Sequence, residues 1–212
     1  MLHGVTINSV NTLTTYGLAL LADLKIAEPK LKENRVNIPG GDGALNMSYA
    51  PQGRAVYECR EISFRLFKRM DEASRDALVS TLRNLWHGQE VDLVLPNDST
   101  HYWHGVLSIG DVSGYNAGII PVTLLADPYK LKSTATTKTL ASPGSVVLSN
   151  ERMAVVPSVT TNAEVTLAWG DYSVTIAAGT HVIPQLVLGP GDTTVIGTGS
   201  ANVSFVYREG SL

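Results

Sequence analysis

The 212-residue sequence predicts a mostly β protein: an α+β N-terminal domain with one helix on a sandwich- or barrel-like sheet, then a C-terminal β-sandwich. Three observations carry this. The last third breaks into short β-rich runs such as "VVLSN", "AEVTLAWG", "YSVTIAAG" and "TTVIGTG", most ending in Gly or Asn, at the spacing of an antiparallel sandwich. One strong helical pattern is present, "DEASRDALVSTLRNLWHG". The texture changes near Lys132, where "KSTATTKTLASPGS" is small and polar.

Within the first domain, Asp71 is placed to cap the helix and Gly88 to stop it. Leu78, Leu82, Leu85 and Trp86 recur on one face, leaving Arg75, Asp76 and Arg83 outside. The sheet beneath draws on "VYECREISFRLF", "VDLVLP", "HYWHGVLSIGDV" and "IIPVTLLAD". The stretch after Lys132 reads as a linker, giving domains at 1–132 and 141–212 joined by 133–140. Trypsin is then expected to cut first at Lys130, Lys132 or Lys138. In "NVSFVY", Val203, Phe205 and Tyr207 point one way and Ser204 and Val206 the other.

Composition narrows the function. A formal net charge of -3 with interspersed signs supplies no broad basic face for binding phosphates by counterion release. No apolar run is long enough to span a bilayer, and Met1 to Leu21 lacks the parts of a secretory signal; a soluble chain is expected. Cys59 is the single cysteine, so no internal disulfide forms and a structural zinc is not expected.

"VNIPGGDGALNMSY" is the densest glycine cluster of the first half. No Lys-Ser/Thr pair follows it, and Leu45 and Asn46 stand where a dinucleotide loop needs its third glycine. Turn chemistry remains: Pro39 presets φ, Gly40 supplies a positive φ, and Asp42-Gly43 invites a second reversal.

Catalytic patterns are weak. His101 and His104, with His87 and Asp98 near, lie three apart on a strand-like run and diverge. Asp42, Glu58, Glu61 and Asp111 are not paired by anything in the sequence, as glycoside hydrolysis requires. Ser113-Gly114 lacks the glycine of a nucleophile elbow and a base. No catalytic residue, cofactor or metal is therefore expected. Trp169 and Tyr172, around Gly170-Asp171, are candidate glycan-contact aromatics, the basis of an alternative reading as a carbohydrate-binding module.

Several stretches, in order, resemble the distal tail (Dit) proteins of long-tailed, siphovirus-type bacteriophages. "TYGLALL" resembles the family's opening, and "IPGGDGALNMS" its I-P-G-[RK]-D-G-x-L-D-[LM]-[ST] loop. "LRNLWHGQEVDLVLPND" resembles its helix-to-strand segment, "PVTLLADPYKLK" the close of its first domain, and "SFVYREGSL" its C-terminus. Gly41 stands where the family usually has a basic residue and Asn46 where it usually has Asp, so any salt bridge those residues make in relatives is absent here.

The resemblance implies a structural protein of the virion, folded in the host cytoplasm and placed at the distal end of the tail. Six copies would form a ring through their N-terminal domains, joining the tail tube protein to the tail-associated baseplate or fibre protein. A galectin-like C-terminal sandwich would hold the receptor-binding protein. DNA would pass through without sequence-specific binding, and no membrane is involved. Ile38, Pro39, Gly40, Gly41, Asp42 and Gly43 are then the ring-interface or loop candidates, reaching between neighbouring elements or subunits.

Overall fold

A computed structural model describes residues 2–49, 53–112 and 118–212, and the chain divides into two compact units, Met1–Pro128 and Tyr129–Leu212. Ser113-Gly114 lies outside the described residues.

The first unit opens with β1 (Thr6–Ile7), β2 (Val10–Asn11), a short helix α1 (Thr12–Tyr16), β3 (Ala19–Leu20) and β4 (Lys25–Ile26). A separate hairpin of β5 (Arg35–Asn37) and β6 (Ala44–Asn46) follows, then β7 (Arg60–Phe67), α2 (Glu72–Trp86), β8 (Glu90–Leu95), β9 (Asp98–Ile109) and β10 (Ile119–Ala126). The main sheet runs β2-β1-β8-β9-β10-β7-β3, with β4 also on β7, and its pairings are antiparallel.

Strand alternation decides which face is buried. Ile62, Phe64 and Leu66 of β7 stand opposite Leu124, Val122 and Ile120 of β10, and all six are buried. Helix α2 covers this face with Val79, Leu82 and Trp86, and Tyr16 from α1 meets Trp86 edge-on at 5.9 Å. Asp71 accepts from the Ser74 amide at 2.9 Å, and Gly88 follows the helix at φ +73°, which satisfies both expected end signals. The inward stripe is nevertheless turned from the expected one. Leu85 is 49% exposed, whereas Arg75 is buried, held by Asp76 at 2.9 Å and Glu72 at 3.2 Å. Positions 75, 79, 82 and 86 form one stripe by angle; arginine belongs to it because its aliphatic stem packs while the charge finds carboxylates.

The β1–β2 turn holds two residues that are not glycine at positive φ, Asn8 (46°) and Ser9 (68°). Asn tolerates this region and Asn8 is anchored: its amide donates to the Asp92 carbonyl at 3.0 Å, and its Oδ1 accepts from the Asp92 amide at 2.8 Å. Ser9 is exposed and carries the strain without such a return. Ser9→Gly is expected to stabilise the protein by roughly 0.5–1 kcal/mol, the relief exceeding glycine's extra unfolded-state entropy. Thermal unfolding of the two forms side by side checks this.

The second unit contains β11 (Lys130–Lys132), β12 (Thr136–Asn150), β13 (Ser158–Thr161), β14 (Val165–Trp169), β15 (Tyr172–Ile176), β16 (Gly179–Val182), β17 (Gly191–Tyr207) and β18 (Gly210–Ser211). The sheet order is β15-β14-β17-β13-β16, and β12 runs along the other side of β17. Strand β17 is shared by two halves: 196–198 pairs with β14 and 203–206 with β13. Strand β12 follows it throughout, with a register shift between Ser142 and Gly144. The two curled halves enclose Leu148, Val159, Leu167, Leu188, Val195 and Phe205.

Two expectations are corrected here. The stretch at 133–140 is not a linker from Thr136 onward, because it forms the first part of β12, with Leu140 3% exposed. Small Thr and Ser residues suit a linker and equally suit a strand whose outer face is wet, so composition alone misleads. Lys130–Lys132 belongs to the second unit, where it pairs with β18. Lys132 there bridges Glu151 at 2.8 Å and the buried Glu209 at 3.1 Å, so the three lysines expected as first tryptic sites all lie in strands. "TTVIGTG" and "ANVSFVY" lie in one continuous β17, and "HVIPQLVLG" is strand only at its start, then makes an isolated bridge between Leu188 and Val155. Val203, Phe205 and Tyr207 face the core as alternation predicts.

Candidate functional site

One feature of the first unit is a two-stranded arm, a sheet of its own whose strands β5 and β6 are exposed along their length. Its root continues β4 and β7 outward: the Ala27 amide donates to Glu61 O at 2.9 Å, Glu58 to Lys30 O at 2.8 Å, and Lys32 to Val56 O at 2.8 Å. Leu31 bridges Tyr57. Farther out, Asn34 donates to Ser48 Oγ at 2.8 Å, and Arg35, Val36 and Asn37 stand opposite Asn46, Leu45 and Ala44. From Leu31 to Pro39, at ~3.3 Å per residue, the ribbon reaches roughly 25 Å.

The tip is the glycine cluster. Gly41 donates to the Ile38 carbonyl at 3.1 Å, closing a four-residue turn with Pro39 second and Gly40 third at φ +76°. That is the type II turn expected from Pro-Gly. Gly43, at φ +75°, makes the second reversal. A Cβ on Gly40 or Gly43 would meet nothing within 4 Å, so both glycines serve the backbone conformation and not a close approach.

The arm is amphipathic. Val36 and Leu45 face each other across it, and Val36, Ile38, Leu45 and Tyr49 are 49%, 51%, 51% and 47% exposed. A two-stranded hairpin alone is marginal in water, and this one is tied at its root to the main sheet. The signal was present in sequence as period-two alternation on both sides of the Pro-Gly turn: Val36 and Ile38, then Leu45, Met47 and Tyr49.

The other candidates are scattered. His87 accepts from the Ile109 amide at 3.0 Å, His101 meets Asp98 at 3.0 Å and His104 meets Asp92 at 2.8 Å. Each imidazole thus has its own partner, and among the described residues no group of three or more His, Cys, Asp or Glu is placed to hold a metal. Asp42 sits at the arm tip, Glu58 and Glu61 at its root, and Asp111 lies 3.6 Å from Arg83; all four carboxylates are in exposed residues. Trp169 and Tyr172 close the β14–β15 turn and stack at 5.9 Å. Trp169 is buried in the sandwich, leaving Tyr172, 57% exposed, as the one open ring of the pair.

The hydrogen bond that the His104 ring donates to the Asp92 carboxylate raises the pKa of His104, against partial burial and helped by the charges of Asp92, Asp127 and Glu90. Because the folded value is raised, the pair's contribution is complete below the ordinary histidine value of about 6.5 and fades as pH rises through the folded value. The His104 proton NMR signal is expected to titrate above the ordinary range, and Asp92→Asn to bring it down.

Two features escaped sequence reading. Helix α1 is five residues, capped by Asn11, which accepts from Leu13 and Thr14; it is too short to show a period. Arg60 is buried, with its guanidinium 4.6 Å over the Trp103 ring and donating to the Pro128 carbonyl, a pairing between distant strands that no local pattern announces.

Fold and site together define a class: a two-unit, β-rich protein whose first unit carries a two-stranded arm with exposed aliphatic residues. Among solved structures, the chain matches the crystal structure of SPP1 Dit (gp 19.1), described as a paradigm of the hub adsorption apparatus in Gram-positive infecting phages. The TM-score is 0.67, with 15% sequence identity over 99% of each chain. At that identity the match establishes a shared fold spanning both units. No protein-family model matches the sequence, nor does any curated protein.

Proposed function

We propose that this chain is a structural hub protein of a phage tail tip, assembled as a six-membered ring that joins the tail tube to the baseplate or fibre and receptor-binding proteins. The observation that carries the reading is the fold match over 99% of both chains; the ordered resemblance of five sequence stretches and the unpaired arm support it. A closed ring needs two different complementary surfaces on each copy, and the arm supplies one, with Ile38 to Gly43 at its tip. The mildly acidic chain suits DNA transit without retention.

Limited trypsin digestion followed by mass spectrometry tests the arm's part. In the free monomer, first cuts are expected at Lys32, Arg35 and Arg54, where the backbone is exposed or held only by the ribbon. In the assembled protein these sites become protected. Equal cleavage in both states would exclude the arm from the interface.

One observation favours a second reading, a carbohydrate contact at Tyr172, whose exposed ring is held in place by Trp169. Glycan-array binding lost in Tyr172→Ala would support it.

A further inference from the structure

Asp42-Gly43 at the arm tip is the chain's single Asp-Gly pair; every other aspartate precedes a residue that bears a side chain, and no asparagine precedes glycine. An aspartate followed by glycine is open to ring closure, because the attacking amide has no neighbouring Cβ to crowd it.

The restraints that hold such a pair still are missing at the tip. Both residues are exposed. The Asp42 carboxylate and the Gly43 amide carry no hydrogen bond or ion pair among the described residues, and β6 begins one residue later, at Ala44. A Cβ on Gly43 would meet nothing within 4 Å, so the backbone has room to turn. Two other small-residue pairs are held. Asp76-Ala77 lies in α2 with its carboxylate 2.9 Å from Arg75. Asp98-Ser99 lies in β9, where Asp98 accepts from Thr100 Oγ1 at 2.8 Å and meets His101 at 3.0 Å.

We propose that Asp42-Gly43 is a self-modifying site, which converts in the free chain to isoaspartate and so becomes an acceptor for a carboxyl methyltransferase that uses S-adenosylmethionine. The Gly43 amide nitrogen bonds to Asp42 Cγ. One carboxylate oxygen leaves as water, taking the amide proton and a proton from solvent, and a succinimide closes. Water then adds to either imide carbonyl. Opening at Cγ restores aspartate; opening at the α-carbonyl breaks the original peptide bond and leaves the main chain running through Cβ and Cγ, with the α-carboxylate free. Charge and mass are unchanged, but the backbone is longer by one methylene where Gly40 and Gly43 set the reversals. The chemistry needs only the free chain, whether or not it assembles.

The test is incubation of the whole protein at neutral pH in water enriched in heavy oxygen, native and in guanidinium chloride, followed by tryptic mass spectrometry. Each passage through the succinimide fixes one heavy oxygen. In the native protein the peptide 36–54 should label about tenfold faster than 76–83 or 84–130, which carry Asp76 and Asp98, and denaturant should hardly change its rate, since a site without protecting structure reacts like the unfolded chain. A purified isoaspartyl methyltransferase should then methylate 36–54. Asp42→Glu, at an exposed position, should remove both label and methyl. Labelling of 36–54 no faster than 84–130, or about tenfold slower in the native than in the denatured protein, would overturn the site. Label without methyl acceptance would do so too, because the ring would then reopen only to aspartate.

Discussion

Replacing Val36 and Leu45 together by Asp is expected to abolish ring assembly while leaving the monomer's melting temperature nearly unchanged. The two residues face each other on the arm, are about half exposed and lie outside the buried core of the unit, so the folded monomer loses little. In the ring they would be covered. Losing two aliphatic contacts and burying two carboxylates costs on the order of 3 kcal/mol per interface, about a hundredfold in dissociation constant. Sedimentation across a concentration series, paired with thermal unfolding, separates the outcomes. A large fall in melting temperature would mean that the arm stabilises its own unit and is not a contact reserved for a neighbour.

The second large effect concerns Gly105 in β9. A Cβ there would lie 2.2 Å from the Leu125 carbonyl oxygen and 2.6 Å from the Ala126 Cα, both backbone atoms of the strand that pairs with it. Neither can move without opening the centre of the sheet. Gly105→Ala is expected to destabilise the first unit by about 3 kcal/mol or more, lowering its melting temperature on the order of 10 °C. Thermal unfolding followed by the circular dichroism of α2 would record it. A shift under ~2 °C would mean that β9 and β10 approach less closely than described.

Legibility in the sequence followed how local each cause is. The ends of α2 were readable because a cap is a contact across three residues, Asp71 to Ser74. The tip turn was readable because Pro39 and Gly40 dictate dihedrals at their own positions. The face of α2 was misread by one step, since counting leucines ignores that Arg75 can bury its stem and Leu85 can lie outside. The linker reading fails for a similar reason: what makes 136–140 a strand is its pairing with 203–207 of β17, far away in the chain, and nothing inside "TATTKTL" announces that partner. In the sequence the arm reads only as a loop. Its strands are legible as alternation, but how far its faces stay exposed is a property of the whole unit. Trp169 and Tyr172 stack across one turn, yet burial of Trp169 leaves a single open ring of the two.

Assembly is the most direct test of the central claim. Negative-stain electron microscopy of the purified protein, at high concentration and again with its tail-tip partners, should yield hollow rings with six-fold class averages. Compact two-fold dimers under both conditions would contradict the account.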